Sequence, residues 1–471
     1  MLQDAFDPAA FRALGHELVD LLANHLDRTQ KGEGKVLDWV EPQQMLDATP
    51  TLGEARTPLP ELWQRILTAS NRLHHPRYVG HQVNPVLPAA ALTELLGALL
   101  NNGMAIYEMG PMQTMMEQRV IEWMARKLGM PQGADGVLTH GGSLGNLTAL
   151  HAARRHLGAK LGTEAPMGCI LASADAHYCI ARAANLMGLG SQGVVPVAVD
   201  PRHRMRPEDL PRALQAAEAT GRRVIAVVAS ACSTATGSFD PIEPIADFCE
   251  RHGIWLHVDG AHGASFALST RHRRLVRGIE RADSVVWDTH KMMMQPALAT
   301  GVLFRRASDS FRAFAQEADY LFHARADVEW WNRGQRTVEC TKRALAATVY
   351  GSIASQGEAT FEQFVDRCME LTAEFTAMLH AAPDFELAVE PEANIVCFRH
   401  LPRDGTDLDA HQVRIRQALR AAGDFYVVQT RLPRGVFLRT TIIQPATRRE
   451  DLATLLEAIR AAAARTREPS S

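Results

Sequence analysis

Residues 224–263 read VIAVVASACSTATGSFDPIEPIADFCERHGIWLHVDGAHG, and this stretch decides the fold. Val224–Ser230 is an unbroken apolar run, the pattern of a strand covered on both faces. A polar loop follows, and Glu243–His252 then carries apolar residues at helical spacing. Ile254–Asp259 is apolar again and ends on a carboxylate. Strand, helix and strand in roughly 40 residues make the unit of a parallel sheet.

The alternation extends in both directions. Strands are predicted at Gly136–Thr139, Cys169–Ser173 and Val194–Val199, separated by helices at Leu144–Leu157, Ile180–Gly188 and Pro207–Thr220. Beyond the opening stretch, Ser284–Trp287 reads as a further buried strand, and Thr300–Arg305 as one that returns beside these strands. The expectation is an α/β fold with a mostly parallel central sheet and helices on both faces. Upstream, helices are expected at 8–29, 59–73, 86–101 and 111–129; Phe11, Leu14, Leu18, Leu21, Leu22 and Leu26 give the first an apolar stripe. Residues 74–90, HHPRYVGHQVNPVLPAA, read as an ordered irregular loop. Near the C-terminus a helix over 361–382, strands at 395–399 and 436–443, and helices at 408–422 and 449–465 form a smaller α+β unit. The chain thus divides into an N-terminal helical arm and loop, 1–85, a large domain, 86–350, and a small domain, 351–471.

Composition narrows the function. With 471 residues, 46% hydrophobic, and a net charge of −3, the chain can bury a large core and has no excess charge for nucleic acid or a membrane surface. No apolar run reaches the roughly 18 residues of a spanning helix. The N-terminus lacks the basic start and apolar block of a signal peptide. Seven scattered cysteines include no CxxC pair, so neither a zinc site nor a disulfide framework is expected; reduced thiols in a cytoplasmic protein are.

The chemistry gathers at predicted strand ends. Lys291 lies in SVVWDTHKMMMQP, residues 284–296, where a buried strand delivers an Asp-Thr-His-Lys turn. Such a lysine is either a nucleophilic amine or a solvated loop residue. Only six lysines occur, at 31, 35, 127, 160, 291 and 342. Asp259 ends an apolar strand, where a carboxylate is costly without a positive partner; a protonated pyridine nitrogen meets that need, and capping of the next turn is the alternative. His177, in SADAHYCIARAA (173–184), either stacks on a flat cofactor or caps a helix. In THGGSLGNLTALHAAR (139–154), Gly142 and Ser143 open a helix, giving either a phosphate site or a turn capped by Ser143. Thr234 and Ser233 either contact a ligand or satisfy the loop backbone. Gly188, Gly190 and Gly193 spell G-x-G-x-x-G, but between a helix and a strand, the reverse of a dinucleotide site; they read as a helix C-terminal turn. A phosphate cradle, a stacking ring, a carboxylate for a pyridine nitrogen and a Schiff-base lysine in one fold favour pyridoxal 5'-phosphate (PLP).

On these residues the chain resembles the group II PLP-dependent L-amino-acid decarboxylases, the family of the glutamate, cysteine sulfinate and aromatic amino-acid enzymes. Asp288-Thr289-His290-Lys291 stands where the family usually shows Asn-Pro-His-Lys. Asp259-Gly260-Ala261 matches its Asp-Ala-Ala, Ala176-His177 its Ala-His, and Gly142-Ser143 its phosphate turn. The match is good over about 70–350 and fainter beyond. The resemblance implies a PLP-dependent transferase-like fold, type I of aspartate aminotransferase, and a homodimer with sites at the interface. It implies that Lys291 carries PLP, Asp259 pairs with the pyridine nitrogen, His177 stacks on the ring, and Thr234 contacts the cofactor. Ala261 would pack under the ring, and His290 would support phosphate and lysine.

Tyr320, 29 residues after Lys291 in QEADYLFHARADVEWW, resembles the mobile-loop tyrosine that returns a proton after carbon dioxide leaves; a surface aromatic is the alternative. Arg439, in GVFLRTTIIQP, resembles a small-domain arginine for a carboxyl group, or is a structural ion-pair partner. Tyr78, His81 and Gln82 resemble the segment that reads the substrate side chain, although Gly80-His81 replaces the usual Asn-Gln of acid-specific members. The expected function is α-decarboxylation of a non-aromatic L-amino acid, aliphatic or acidic. A decarboxylating aldehyde synthase, an aromatic or diamino-acid decarboxylase, and a cofactor-free structural relative are the alternatives.

Overall fold

The computed structural model describes residues 2–53, 56–164, 166–314, 329–402 and 407–465. Packing divides the chain into two compact units. One comprises Asn84–Met369 with Val389–Ile395; the other comprises Met1–Val83, Glu370–Ala388 and Val396–Ser471.

The first unit is built on a seven-stranded sheet. Its strands are β1 (Asp135–Thr139), β2 (Gly168–Ser173), β3 (Val194–Val197), β4 (Arg223–Ser230), β5 (Trp255–Asp259), β6 (Ser284–Asp288) and β7 (Thr300–Phe304). They lie in the order β1-β7-β6-β5-β4-β2-β3. Strands β3, β2, β4, β5 and β6 pair in parallel. Strand β7 returns antiparallel between β6 and β1. In β2, β5 and β6 every residue is buried, as parallel strands covered on both faces require. The helices Gly142–Leu161, Cys179–Leu186, Leu210–Ala219 and Ile242–His252 make the crossovers. The first two pack their Ala, Leu and Ile residues on the sheet's apolar side chains in one continuous core.

This topology puts the carboxyl ends of β1, β2, β4, β5 and β6 along one edge, together with the start of the reversed β7, since Thr300 pairs with both Thr139 and Asp288. Loops at that edge of a parallel sheet are where ligands bind. The Gly188, Gly190 and Gly193 turn lies between the Cys179–Leu186 helix and β3, with Gly188 and Gly190 at φ +73° and +72°, the left-handed backbone of a helix terminus.

The second unit carries a four-stranded sheet of β8 (Phe385–Leu387), β9 (Ile395–His400), β10 (Val428–Leu432) and β11 (Gly435–Thr441), ordered β10-β11-β9-β8. The pairings β10–β11 and β8–β9 are antiparallel. Leu371, Phe375, Phe398, Leu438, Ile442, Leu455 and Ile459 form its core. The N-terminal helix runs Pro8–Gln30, capped by the Asp7 carboxylate on the N–H groups of Ala9 and Ala10.

Several elements depart from expectation. The helix expected over 59–73 stops at Ala69, because the Ser70 hydroxyl turns back onto Ile66 O and its backbone is extended. Strand β3 ends at Val197, and the helix over 207–220 begins as a 3-10 turn. Helices Pro42–Ala48, Ala307–Phe314 and Ala346–Gln356, and strands β8 and β10, were not expected. Strand β10, Val-Gln-Thr-Arg-Leu, is apolar only at its two ends and gives little periodic signal.

Candidate active site

A cavity of about 230 Å³ opens at the carboxyl edge of the large sheet. It is lined by the Gly141–Ser143 turn, His177, Thr234, Asp259, Ala261, His290 and Lys291, so eight sequence-nominated residues, Gly142 and Ser143 among them, meet in one place.

The floor begins with the helix Gly142–Leu161, whose first N–H groups have no partner within the helix. Gly141 is its cap residue, at φ +88°, with no side-chain cap, so Ser143 sits inside the first turn and does not cap it. Close approach explains Gly142. A Cβ there would lie 3.0 Å from both carboxylate oxygens of Asp288 and 3.4 Å from Ala261 Cβ. Free N–H groups at a helix start beside a turn without side chains form an anion cradle.

Asp259 is buried at the end of β5, and its Oδ1 accepts the Ala261 N–H at 3.2 Å. Turn-capping and a ligand-facing carboxylate therefore coexist, since this residue also lines the cavity. The same holds for His177. Its Nδ1 accepts the Cys179 N–H at 3.3 Å, leaving the ring at the cavity wall. Burial lowers its basicity, outweighing the Asp259 carboxylate, so the ring is a neutral flat surface near pH 7.

Lys291 lies in a single helical turn, Thr289–Met292, directly after β6. Its Nζ is 3.0 Å from Asp288 Oδ2, and the side chain remains 21% exposed. Burial pulls the amine down, but Asp288 and Asp259 together outweigh it and hold the amine above the ordinary lysine range. His290 is fastened through Nδ1, 3.0 Å from Ala299 O, with Nε2 3.6 Å from Asp288. Thr289 donates its hydroxyl to the same Ala299 carbonyl at 3.1 Å.

Several lining or supporting residues were missed from the sequence. Asn146 lines the cavity and donates from Nδ2 to Cys179 Sγ at 3.4 Å, so its oxygen faces His257 Nε2 at 2.7 Å. Nε2 therefore carries the ring proton. Burial pushes His257 down to about 4, so the ring is neutral and Nδ1 accepts from the Ser284 hydroxyl at 2.9 Å. Trp255 Nε1 donates to the same Ser284 oxygen at 2.8 Å. This chain ties two strands, β5 and β6, to two helices, Gly142–Leu161 and Cys179–Leu186, beneath the cavity. The signal for His257 was its place two residues before Asp259, on the same face of β5. His140 also lines the cavity, with Nδ1 2.5 Å from Glu339 Oε1.

The remaining nominees are not among the residues that line this cavity. Tyr78, His81, Gln82 and Arg439 cluster within the second unit. The Tyr78 ring centroid is 5.8 Å from that of Tyr426, and His81 is 5.6 Å from the same ring. Arg439 Nη2 donates to Gln82 Oε1 at 3.2 Å. Tyr320 lies outside the described residues.

An anion cradle, a buried carboxylate, a neutral imidazole face and a lysine around one cavity suit a flat, phosphorylated pyridine aldehyde. Comparisons with known proteins agree. Residues 61–401 match the model of the pyridoxal-dependent decarboxylase conserved domain. Over 409 residues the chain is 34% identical to cysteine sulfinic acid decarboxylase of Mus musculus, covering 84% of this chain and 82% of that one. Over 448 residues it is 31% identical to acidic amino acid decarboxylase GADL1 of Mus musculus, covering 90% and 81%. The crystal structure of mouse CSAD superposes with a TM-score of 0.88 at 28% identity, covering 97% of this chain and 99% of that one. The chain belongs to the pyridoxal-dependent decarboxylases, a carbon–carbon lyase that uses pyridoxal 5'-phosphate to decarboxylate an amino acid.

Proposed function

We propose that the protein converts an acidic L-amino acid to its amine and carbon dioxide. The observation that carries the site assignment is the convergence of Lys291, Asp259, His177 and the Gly142-Ser143 turn on one cavity. The acidic preference is supported by the relatives named cysteine sulfinic acid decarboxylase and acidic amino acid decarboxylase.

Bound pyridoxal phosphate supplies an aldehyde that condenses with amines and a protonated ring that accepts the electrons released as carbon dioxide leaves. In this reading the chain does the rest. The helix start at Gly142-Ser143 binds the phosphate group. Asp259 keeps a proton on the ring nitrogen, and His177 and Ala261 confine the ring between them. Thr234 orients it by a hydrogen bond. Lys291 offers the amine, and His290 supports it. Tyr320 returns a proton to Cα in place of the lost carboxylate. Arg439 and Gln82, already joined, with Tyr78 and His81, read the substrate's carboxyl groups.

We read the active form as a homodimer in the cytoplasm. The Pro88–Leu100 helix supports the first part, because Leu92, Leu95, Leu96, Leu99 and Leu100 are all exposed. The N-terminal helix, with Phe11, Val19 and Leu22 exposed, is read as an arm that embraces the partner. Seven free cysteines, six of them buried, support a reducing compartment. Among the described residues, no helix is long and apolar enough to cross a membrane.

A screen of L-amino acids for carbon dioxide release tests the reading, with Lys291→Ala as control and with ammonia and peroxide measured alongside. Acidic substrates should lead, with carbon dioxide and amine in equal amounts and no peroxide. Fastest turnover of an aromatic or diamino acid would overturn the substrate class. Stoichiometric peroxide would make the protein an aldehyde synthase, and full activity in Lys291→Ala would remove the lysine's assigned role.

A further inference from the structure

A fixed negative charge is built against the amine of Lys291. The Asp288 side chain is 2% exposed at the end of β6. Its Oδ1 accepts the Thr300 hydroxyl at 2.5 Å, and Thr300 is its register partner across β6 and β7. The carboxylate is therefore held from the sheet, independently of the lysine, with Oδ2 left 3.0 Å from Nζ. Other titratable groups surround the amine: Asp259 from β5, His177 from the loop after β2, Cys232 from the loop after β4, and His290 from the lysine's own turn. Among the described residues, Asp288 is the one whose carboxylate makes an ion pair with the amine.

We propose that Asp288 is a positioning residue that parks Lys291 as an ammonium in the cofactor-free enzyme, so that capture of the aldehyde waits on loss of a proton from this pair. The inference rests on the reading of Lys291 as the cofactor-bearing amine. Only the free base has a lone pair with which to attack. The ammonium gives one proton to solvent. The nitrogen then bonds to the aldehyde carbon, and the carbonyl oxygen leaves as water with the two protons still on nitrogen. No oxidant or reductant is needed. A carboxylate in contact stabilises the ammonium and reduces the free-base fraction near neutral pH.

The same carboxylate borders the Gly142 turn, where a Cβ would come within 3.0 Å of both its oxygens. It therefore opposes an incoming phosphate as well. The two effects separate cleanly, because pyridoxal has the aldehyde without the phosphate.

The experiment mixes cofactor-free enzyme with pyridoxal phosphate, and separately with pyridoxal, at a series of pH values from about 6 to 9 chosen to span the approach to amine deprotonation. The visible absorbance of the new C=N bond is followed. Asp288→Asn, nearly isosteric, should capture either aldehyde about tenfold faster throughout this range, because both amines titrate above it and their free-base fractions rise in parallel with pH. A faster rate with pyridoxal phosphate alone, and none with pyridoxal, would assign Asp288 to phosphate repulsion and overturn the parking of the amine. Equal rates at every pH would overturn the proposal entirely. Should Asp288→Asn fail to fold, competitive acetylation of the wild-type, cofactor-free protein decides. Lys291 should reach half its limiting reactivity at higher pH than Lys160, and an equal or lower midpoint overturns the proposal. A wild-type protein that forms no visible band with either aldehyde would overturn both this inference and the cofactor assignment of Lys291. A band whose formation ignores residue 288 overturns this inference alone.

Discussion

His257→Gln should reverse the order of stability between variant and wild type on acidification. In the folded protein His257 is fully buried between Asn146 and Ser284, and burial pushes it from 6.5 down to about 4. Its folded value is depressed, so the unfolded chain binds more protons between those two values. The stability it contributes is complete above about pH 6.5 and is lost as pH falls toward 4. At 1.36 kcal/mol per pH unit, acidification to pH 4.5 removes about 2–3 kcal/mol through this one group. Glutamine keeps an amide N–H for Asn146 and has no titration, but it loses the Ser284 contact, at a cost of about 1 kcal/mol at neutral pH. Wild type should be the more stable at pH 7.5 and the less stable at pH 4.5. The assay is urea unfolding of both cofactor-free proteins at the two pH values, followed by tryptophan fluorescence, with the midpoint shift converted through the common slope. Carboxylates titrate equally in both chains and cancel in the difference. A stability gap of the same sign and size at both pH values would refute a neutral His257 in this network.

Other predictions address the site and its support. Asp259→Asn should lower kcat by ~100-fold or more with little change in KM, because a preorganised charge is lost from the reacting centre; steady-state kinetics with an acidic substrate checks this. Glu117→Gln should cost about 3–5 kcal/mol in urea unfolding, since Glu117 Oε1 is 2.7 Å from the buried Lys342 ammonium, which would be left uncompensated. Gly80→Ala places a Cβ 2.3 Å from Tyr426 Cδ1 and 3.1 Å from Tyr426 O, and should lower the thermal midpoint of unfolding by several degrees.

Much of the site was legible in the sequence because its parts sit at strand ends. A buried apolar run announces itself, and the first polar residue after it is placed at the ligand edge of a parallel sheet whatever the strand order. That logic found Asp259, His177, Lys291 and the Gly142 turn without knowledge of which strands were neighbours. It missed His257 because a histidine inside an apolar run gives no sign of its partners, and those partners, Asn146 and Ser284, come from two other elements. It noticed Asp288 only as an unusual residue in the lysine's turn. The role of that carboxylate depends on Thr300, twelve residues later, which reaches it across an antiparallel pairing.

By itself, then, the chain's pattern of apolar runs and turns determined an α/β sheet protein, and the functional groups at its strand ends favoured pyridoxal phosphate, with their individual roles implied by the family resemblance. The tertiary structure alone decided the strand order, the insertion of β7 between β1 and β6, and the partners of His257 and Asp288. Those depend on contacts between residues far apart in sequence, whose geometry no local pattern encodes.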